Sequence, residues 1–154
     1  MIIVDCKLES EHFKGEESEF LPVKAYEGSS AGYDLRADIK EPVTLAPMER
    51  VLIPTAVKIN IPEGSVGMVC PRSGLALKHG ISVLNSPGII DPGYINTIGV
   101  ILVNLSNTFY TVAPKDKIAQ LLFTNTIDTV INPNRWEGNI NARGLNGFGS
   151  SGTN

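Results

Sequence analysis

Short runs of apolar, often β-branched residues occur throughout this chain, separated by Gly, Pro, Asn and Asp. In "AVKINI" the apolar Val57, Ile59 and Ile61 alternate with Lys58 and Asn60, which is the pattern of a strand with one face in water. The segments "VTLAP", "RVLIPT" and "SVGMVCP" are similar short runs. Because helical periodicity is scarce, the pattern predicts an all-β fold.

Two segments depart from this alternation. Residues 98–105, "IGVILVNL", are apolar on both faces, which predicts a strand at the centre of the core or against another subunit. Residues 73–80, "SGLALKHG", combine a serine cap, good helix formers and a glycine stop, and predict one short helix. The many short strands favour a Greek-key barrel or jelly roll, since these architectures limit exposed sheet edges.

The length of 154 residues allows one compact core, so we expect a single domain. No apolar run approaches the roughly 18 residues that a membrane span needs. The first ten residues, "MIIVDCKLES", lack the basic region and the small-residue cleavage site of a signal peptide. These features predict a soluble intracellular protein, located in the cytoplasm and without a membrane partner.

The net charge of −3 is unevenly distributed, because residues 9–19 contain five glutamates and one lysine. This acidic segment is expected to form a solvated loop or edge, and it could repel anionic partners from one face. No basic footprint indicates a nucleic-acid partner. The two cysteines, Cys6 and Cys70, are far apart and show no zinc spacing, and we expect Cys70 to be a buried small hydrophobe.

The C-terminal "GFGSSG", residues 147–152, matches the G-x-G-x-x-G pattern of dinucleotide-binding loops. Only two residues follow it, so no helix can begin there, and the segment lacks the lysine of a phosphate-binding P-loop. One remaining interpretation is a terminal arm whose backbone N–H groups converge on an anion, assisted by Arg143 and the flat ring of Phe148. The other is a disordered Gly/Ser tail.

Two further segments are suited to phosphate. The predicted helix start at residues 71–74 would present unpaired N–H groups and a positive dipole end, although it could also be an ordinary capped turn. Gln120 is a polar residue inside the apolar "KIAQLLF". These two segments and the C-terminal arm could meet only in three dimensions.

Residues 83–95, "VLNSPGIIDPGYI", contain two turn signals that flank Ile89 and Ile90, and they predict a hairpin with a buried centre. Asp91 lies three residues before Tyr94 and could be a general base beside an aromatic platform. It could equally be a turn aspartate that precedes a proline. The residue types alone do not distinguish a general base from a turn aspartate at Asp91.

Asp34 lies within "AGYDLRA", residues 31–37, on a strand-like segment. A carboxylate in a strand is disfavoured unless it is paired or bound to a cation. One interpretation is a Mg²⁺ ion that keeps its waters while it bridges substrate phosphates. The other is a salt bridge to Arg36 or to another cationic side chain.

Five segments, "AGYDLRA", "PRSGLA", "NSPGIIDPGY", "KIAQLLF" and "RGLNGFGSSG", resemble the five ordered motifs of the trimeric dUTP pyrophosphatases (dUTPases). The resemblance spans residues 31–152. It implies a jelly-roll homotrimer in which residues 1–142 form the barrel and residues 143–154 form an arm that closes an active site shared by three subunits. The implied reaction is hydrolysis of dUTP to dUMP and pyrophosphate, with Mg²⁺ as cofactor.

The resemblance also implies roles for individual residues. Asp91 would deprotonate a water that attacks the α-phosphorus, and Asp34 would hold Mg²⁺ through water. Tyr94 would pack under the deoxyribose and exclude a 2′-hydroxyl. The implied phosphate-binding residues are Arg72, Ser73, Gly74 and Gln120. The implied uracil-binding residues are Asn85, Gly88, Ile89 and Ile90.

In the arm, the resemblance implies that Phe148 stacks over uracil while other residues close over the β- and γ-phosphates. These residues are Arg143, Gly149, Ser150 and Ser151. Asn146 replaces a glycine that is common in the family, and Ser151 replaces a common threonine. At residues 95–97 the sequence Ile-Asn-Thr stands where the family commonly has a basic or polar residue, Gly, and Glu or Gln, so no contact is assigned there.

Two rival functions share this fold. A dCTP deaminase would need a catalytic glutamate on the strand after the "IDPGY" turn, and Ile101 stands there instead. A trimer that sequesters nucleotide or regulates a protein partner would be free to lose Asp91, Tyr94 or Arg143, and all three are present. We therefore expect an enzyme, and a regulatory protein partner is left as a possible second role.

Overall fold

The computed structural model describes residues 3–133 of the chain. The described residues form twelve strands, one α-helix and one 3-10 helix. The strands are β1 (Asp5–Leu8), β2 (Val23–Lys24), β3 (Tyr33–Arg36), β4 (Val43–Leu45), β5 (Arg50–Pro54), β6 (Val57–Asn60), β7 (Ser65–Cys70), β8 (Ile81–Val83), β9 (Gly88–Ile90), β10 (Gly99–Asn104), β11 (Tyr110–Val112) and β12 (Lys117–Asn125). The helix α1 is Ser73–His79 and the 3-10 helix is Glu17–Phe20.

The strands form four sheets, and every pairing is antiparallel. The largest sheet has the order β2-β3-β12-β7-β9, and a second has the order β5-β10-β8. Two short sheets, β1-β6 and β11-β4, complete the set. The all-β prediction is confirmed. Within residues 3–133, no helix combines the length and apolar character that crossing a membrane requires.

One apolar core draws side chains from all four sheets. Its largest fully buried members include Leu35, Leu45, Ile53, Val57 and Leu121. The alternation predicted for β6 is confirmed, since its apolar residues face this core while Asn60 is exposed. The sheets are therefore held by side-chain burial on their inner faces.

The strand predicted to be apolar on both faces is β10, which lies at the centre of its sheet. Val100 and Leu102 are each 1% exposed on the inner face, and Val103 is 5% exposed on the other. Ile101 is only partly covered, and its cross-strand neighbour Leu52 is 63% exposed. The outer face of this sheet therefore carries uncovered apolar surface.

The short helix forms where the sequence predicted it, but its start differs by one residue. Arg72, in extended conformation, is the N-cap, and Ser73 is the first helical residue without a side-chain capping bond. The predicted glycine stop is confirmed, because Gly80 has φ of 66° and its N–H donates to the carbonyl of Ala76. The helix thus follows directly on the cationic Arg72.

The segment between β8 and β9 is not the hairpin that the turn signals predicted. β8 pairs with β10, whereas β9 pairs with β7 in a different sheet, so residues 84–87 connect two sheets. The predicted buried centre is also only half right, since Ile90 is 9% exposed and Ile89 is 54% exposed. Alternation along a three-residue strand sends Gly88 and Ile90 inward and Ile89 outward.

The acidic segment is mostly exposed, as expected for a solvated loop, but it is fastened to the barrel at both ends. The buried Ser10 donates a hydrogen bond to Asp38 at 2.6 Å, and Phe20 is fully buried. Lys115, in the turn before β12, pairs with Glu16 and Glu19. These contacts fix its position on the surface.

Candidate functional site

A polar cluster forms where three neighbouring strands of the largest sheet meet the start of α1. Strand β12 places Gln120 beside Asp34 of β3 on one side and beside Cys70 of β7 on the other. Two residues beyond Cys70, Arg72 turns back over the sheet. The strand register therefore brings Gln120 close to residues 71–74, and both are segments that the sequence predicts to bind phosphate.

Asp34 is the centre of this cluster, and its side chain is 8% exposed. Arg72 Nε donates to Asp34 Oδ1 at 3.1 Å, while Arg72 Nη1 donates to the carbonyl of Lys117 at 3.1 Å. Lys117 Nζ lies 2.7 Å from Asp34 Oδ2. The salt-bridge interpretation of Asp34 is thus confirmed, but its partners are Arg72 and Lys117, not Arg36.

Gln120 links β12 to the start of the helix. Its Nε2 donates to the carbonyl of Pro71 at 2.9 Å, and the side chain is partly exposed. Gly32 leaves the space that this side chain needs, since a Cβ on Gly32 would lie 2.4 Å from Gln120 Oε1. Ser73 and Gly74 are exposed beside it.

The charge of the cluster favours an anion. Two cations, Arg72 and Lys117, surround one carboxylate, and both retain about a third of their side-chain exposure. Arg36 adds a third cation on the same strand as Asp34, and its Nη1 donates to the carbonyl of Lys115. An excess of partly exposed cationic groups at a helix start suits phosphate oxygens.

Metal-ligating residues are sparse in the part of the chain that is described. No group of three or more His, Cys, Asp or Glu side chains within residues 3–133 could hold an ion by itself. Asp34 Oδ2 is buried and, among the described residues, makes no hydrogen bond of good geometry, although Lys117 lies close to it as an ion-pair partner. A carboxylate oxygen of this kind fits the role of holding, through water, a Mg²⁺ ion that is bound to substrate phosphates.

Asp91 and Tyr94 lie in an exposed turn at the far end of β9. The Tyr94 N–H donates to the carbonyl of Asp91 at 3.2 Å, and its hydroxyl donates to the carbonyl of Thr97 at 3.1 Å. Tyr94 as a whole is 40% exposed, so part of the residue is accessible. The turn predicted here is therefore present, and the carboxylate is accessible to a ligand.

The structure does not bring Asp91 to the polar cluster of its own chain. In the β7–β9 pair Ile90 is opposite Gly67, so Asp91 continues past the end of β7 that is remote from Arg72. Arg72 stands six positions beyond Val66, which corresponds to about 20 Å of extended chain. Asp91 and Arg72 therefore lie beyond opposite ends of β7.

The predicted uracil-binding residues lie around β9. Asn85 is exposed, and its Nδ2 would lie 3.2 Å from a Cβ on Gly88, which is itself buried. Ile89 projects outward and Ile90 inward. The backbone of this strand is therefore closely covered on one side by Asn85 and Val69.

Sequence reasoning missed Lys117, because regular alternation would place it on the face opposite Gln120. A register shift between Lys117 and Ala119 redirects its side chain, and no local residue pattern announces that shift. Cys70 is only partly buried, which corrects the expectation of full burial, and burial raises the pKa of its thiol. This does not suit a nucleophile. Arg143, Phe148, Gly149, Ser150 and Ser151 lie outside the described residues.

Comparisons with protein-family models, with curated proteins and with solved structures all match this chain to dUTPases. The family model described as dUTPase matches residues 20–152. The deoxyuridine 5′-triphosphate nucleotidohydrolase of Fusobacterium nucleatum is 47% identical over 137 residues, covering 89% of this chain and 92% of its own length.

Solved structures agree with this match. The dUTPase of Staphylococcus bacteriophage 80alpha, solved with dUpNHpp, superposes with a TM-score of 0.81 at 26% identity and covers 97% of this chain and 98% of its own. A mutant dUTPase of S. aureus phage phi11, described with a structural Mg(II) ion, has the same fold at a TM-score of 0.72 and 24% identity, over 88% of this chain and 99% of its own. With a family model over most of its length and a relative at 47% identity, the chain belongs to the dUTPase family.

Proposed function

We propose that this chain hydrolyses dUTP to dUMP and pyrophosphate by attack of water on the α-phosphorus. Membership of the dUTPase family indicates that the substrate is dUTP, since the relatives of this chain are named for the hydrolysis of deoxyuridine 5′-triphosphate. The observation that carries the assignment to particular residues is the cationic cluster around Asp34. It provides a built binding place for phosphate oxygens at the start of α1.

Phosphate binding is assigned to Arg72, Ser73, Gly74 and Gln120. Arg72 is already oriented by Asp34 and by the Lys117 carbonyl, so little side-chain freedom is lost when it contacts phosphate. Gln120 is held in the same way by the carbonyl of Pro71. Groups that are fixed before the substrate arrives stabilise developing charge most effectively.

Asp91 is the proposed general base. Its exposed position allows hydrogen bonding to a water molecule, which would lose its proton to a carboxylate oxygen as its own oxygen attacks phosphorus. Pyrophosphate leaves from the opposite side. Tyr94 would pack under the deoxyribose. Its hydroxyl donates to the carbonyl of Thr97, and this hydrogen bond would hold the ring in place for that contact.

Base selectivity is assigned to Asn85 with the backbone of Gly88, Ile89 and Ile90. The Asn85 amide and neighbouring peptide groups would hydrogen-bond the edge of uracil. The close approach of Asn85 to Gly88 supports a pocket that is too narrow for the methyl group of thymine. Cytosine would leave buried polar groups unpaired, which costs more than a missing methylene.

Mg²⁺ is assigned to Asp34, with the metal carried by the triphosphate and contacted through water. When bound, the ion supplies neutralisation of negative charge on the phosphate oxygens. Asp34 Oδ2 supports this assignment, since it is a buried carboxylate oxygen whose ion-pair partner among the described residues is the flexible Lys117 side chain.

The arm at residues 143–154 is assigned to closure of the site. Phe148 would stack on uracil, and Arg143 with Gly149, Ser150 and Ser151 would contact the β- and γ-phosphates. Water excluded in this way strengthens the electrostatic interactions around the reacting phosphate. Residues 1–142 are assigned to the barrel itself.

A homotrimer is part of the proposal, with each site shared between chains. The position of Asp91 opposite Val66, about 20 Å of extended chain from Arg72, supports a site to which a neighbouring chain supplies one of the two residues. The outer face of the β5-β10-β8 sheet offers an interface, since Leu52, Leu84 and Ile101 form an uncovered apolar row. Such a surface suits burial against a second copy.

The activity is tested by measuring pyrophosphate release from dUTP, dCTP, dTTP and UTP, with and without Mg²⁺. We expect release from dUTP alone, with strong stimulation by the metal. The Asp91→Asn variant should bind dUTP but lose about 10²- to 10⁴-fold in turnover, since general-base help is worth that much. Release at the wild-type rate from Asp91→Asn would contradict the assigned base, and equal release from UTP would contradict the sugar selectivity.

A further inference from the structure

Lys117 reaches the polar cluster through an irregularity in β12. In the described pairing Gln120 is opposite Asp34 and Ala119 is opposite Leu35, but Lys117 is opposite Arg36, so one residue is skipped. Ile118 and Ala119 are consequently both buried. This bulge moves the Lys117 side chain onto the face that carries Asp34 and Gln120.

In this position Lys117 covers the oxygen that a metal would use. Asp34 Oδ1 is engaged by Arg72, whereas Oδ2 is buried and has the Lys117 ammonium 2.7 Å away. A metal-bound water that donates to Oδ2 would therefore compete with the Lys117 ammonium for this oxygen. The Lys117 side chain retains 32% exposure, so it has room to leave.

We propose that Lys117 is a positioning residue that occupies Asp34 Oδ2 in the absence of metal and moves away from this oxygen when a metal–nucleotide complex binds. This inference rests on the proposed function, since it requires a triphosphate at Arg72 and Gln120. The ammonium on its flexible stem can leave Asp34 for solvent, since its side chain is 32% exposed. Lys117 thereby keeps a buried carboxylate paired in the empty site, at the expense of metal affinity.

The coupling between Mg²⁺ and nucleotide separates this role from simple phosphate binding. The probe is dUpNHpp, the analogue bound by the phage 80alpha relative. Its Kd is measured by calorimetry in EDTA and in saturating Mg²⁺, and the ratio of the two values is the coupling factor. Because no turnover is involved, the readout is independent of catalysis.

Removing the competing ammonium should increase this coupling. We expect Lys117→Met to raise the coupling factor about fivefold or more, because the metal no longer displaces a cation from Asp34. Lys117→Arg, which keeps a cation, should remain closer to the wild type. Lys40→Met removes the same charge at an exposed surface position and should leave the factor unchanged.

The effect should depend on Asp34. In an Asp34→Asn background, Lys117→Met should no longer change the coupling factor, since the shared partner is lost. A uniform loss of dUpNHpp affinity in EDTA and Mg²⁺ would overturn the proposal and make Lys117 an ordinary phosphate contact. An unchanged factor would overturn it as well. Failure of the wild type to release pyrophosphate from dUTP would instead contradict the proposed function.

Discussion

At the scale of single residues, the polar cluster depends on a glycine that leaves space for a neighbour, Gly32, and on a lysine that a bulge redirects, Lys117. Gly32 makes room for Gln120, and a Cβ at this position would overlap the amide oxygen at 2.4 Å. A glutamine whose Nε2 is held by the Pro71 carbonyl has little freedom to move aside. Gly32 therefore helps to position Gln120, the proposed phosphate ligand.

Gly32→Ala should lower dUTP kcat/KM by about 10- to 100-fold, the loss expected when one hydrogen bond to a charged group is broken. Steady-state pyrophosphate release provides the measurement. In a Gln120→Ala background the same substitution should have a much smaller effect, because the overlapping amide is gone. Equal losses in both backgrounds would show that Gly32 acts through something other than Gln120.

The residues of this cluster differ in how visible they are in the sequence. Arg72 and Gln120 stand out as polar residues at a helix start and inside an apolar run. Lys117 could not be predicted, because its face depends on a bulge that forms only when β12 pairs with β3. The partner of Asp34 was equally hidden, since Arg36 is the nearest cation in sequence while Arg72 and Lys117 are the nearest in space.

At the scale of elements, the acidic segment is held on the barrel by a cluster of charges around one lysine. Lys115 pairs with Glu16 and Glu19, and its ammonium lies 4.5 Å from the centre of the Phe13 ring. The hydrogen bond and charge of Lys115 hold the pKa of Glu16 below its usual value. Hydrogen bonds to Glu16 and Glu19 raise the pKa of Lys115.

These shifts define a pH window for the contribution of Glu16 to stability. A lowered carboxyl pKa stabilises the fold above the usual pKa of a glutamate, and this stabilisation is lost as the pH falls through the lowered value. Glu16→Gln should therefore lower the Tm slightly at neutral pH, by about 2 °C or less for an exposed pair. The difference from the wild type should shrink towards zero in acid.

Thermal unfolding followed by circular dichroism across this pH range provides the test. Glu41→Gln, at an exposed position, is the matched control and should leave the pH profile unchanged. A Glu16→Gln difference that stays constant from neutral pH into acid would contradict the ion pair as its source.

At the scale of the whole molecule, the local sequence pattern predicts where the strands lie, but it does not predict which strands pair with each other. The alternation in β6 and the two-sided character of β10 were both evident from apolar spacing. The segment between β8 and β9 contains hairpin turn signals, yet its two strands join different sheets. Pairing across the core is decided by long-range burial, which a short window of sequence does not contain.

The composition of the candidate site is also a question about the whole molecule. The family motifs imply a base at Asp91 and phosphate ligands at Arg72 and Gln120, and the register places Asp91 and Arg72 beyond opposite ends of β7. The proposed assembly would bring Asp91 of one copy to Arg72 and Gln120 of another. The apolar row of Leu52, Leu84 and Ile101 is the surface proposed for that assembly.

Subunit complementation tests this shared site most directly. Asp91→Asn and Arg72→Gln chains are coexpressed with different affinity tags, and mixed trimers that carry both tags are purified for dUTP hydrolysis assays. Each variant alone should be nearly inactive, whereas a mixed trimer should have about a third of the wild-type sites, since each site needs an intact Asp91 and an intact Arg72 from different chains and one of the three chain pairs provides both. Mixed trimers that are no more active than either variant alone would contradict a site built between chains.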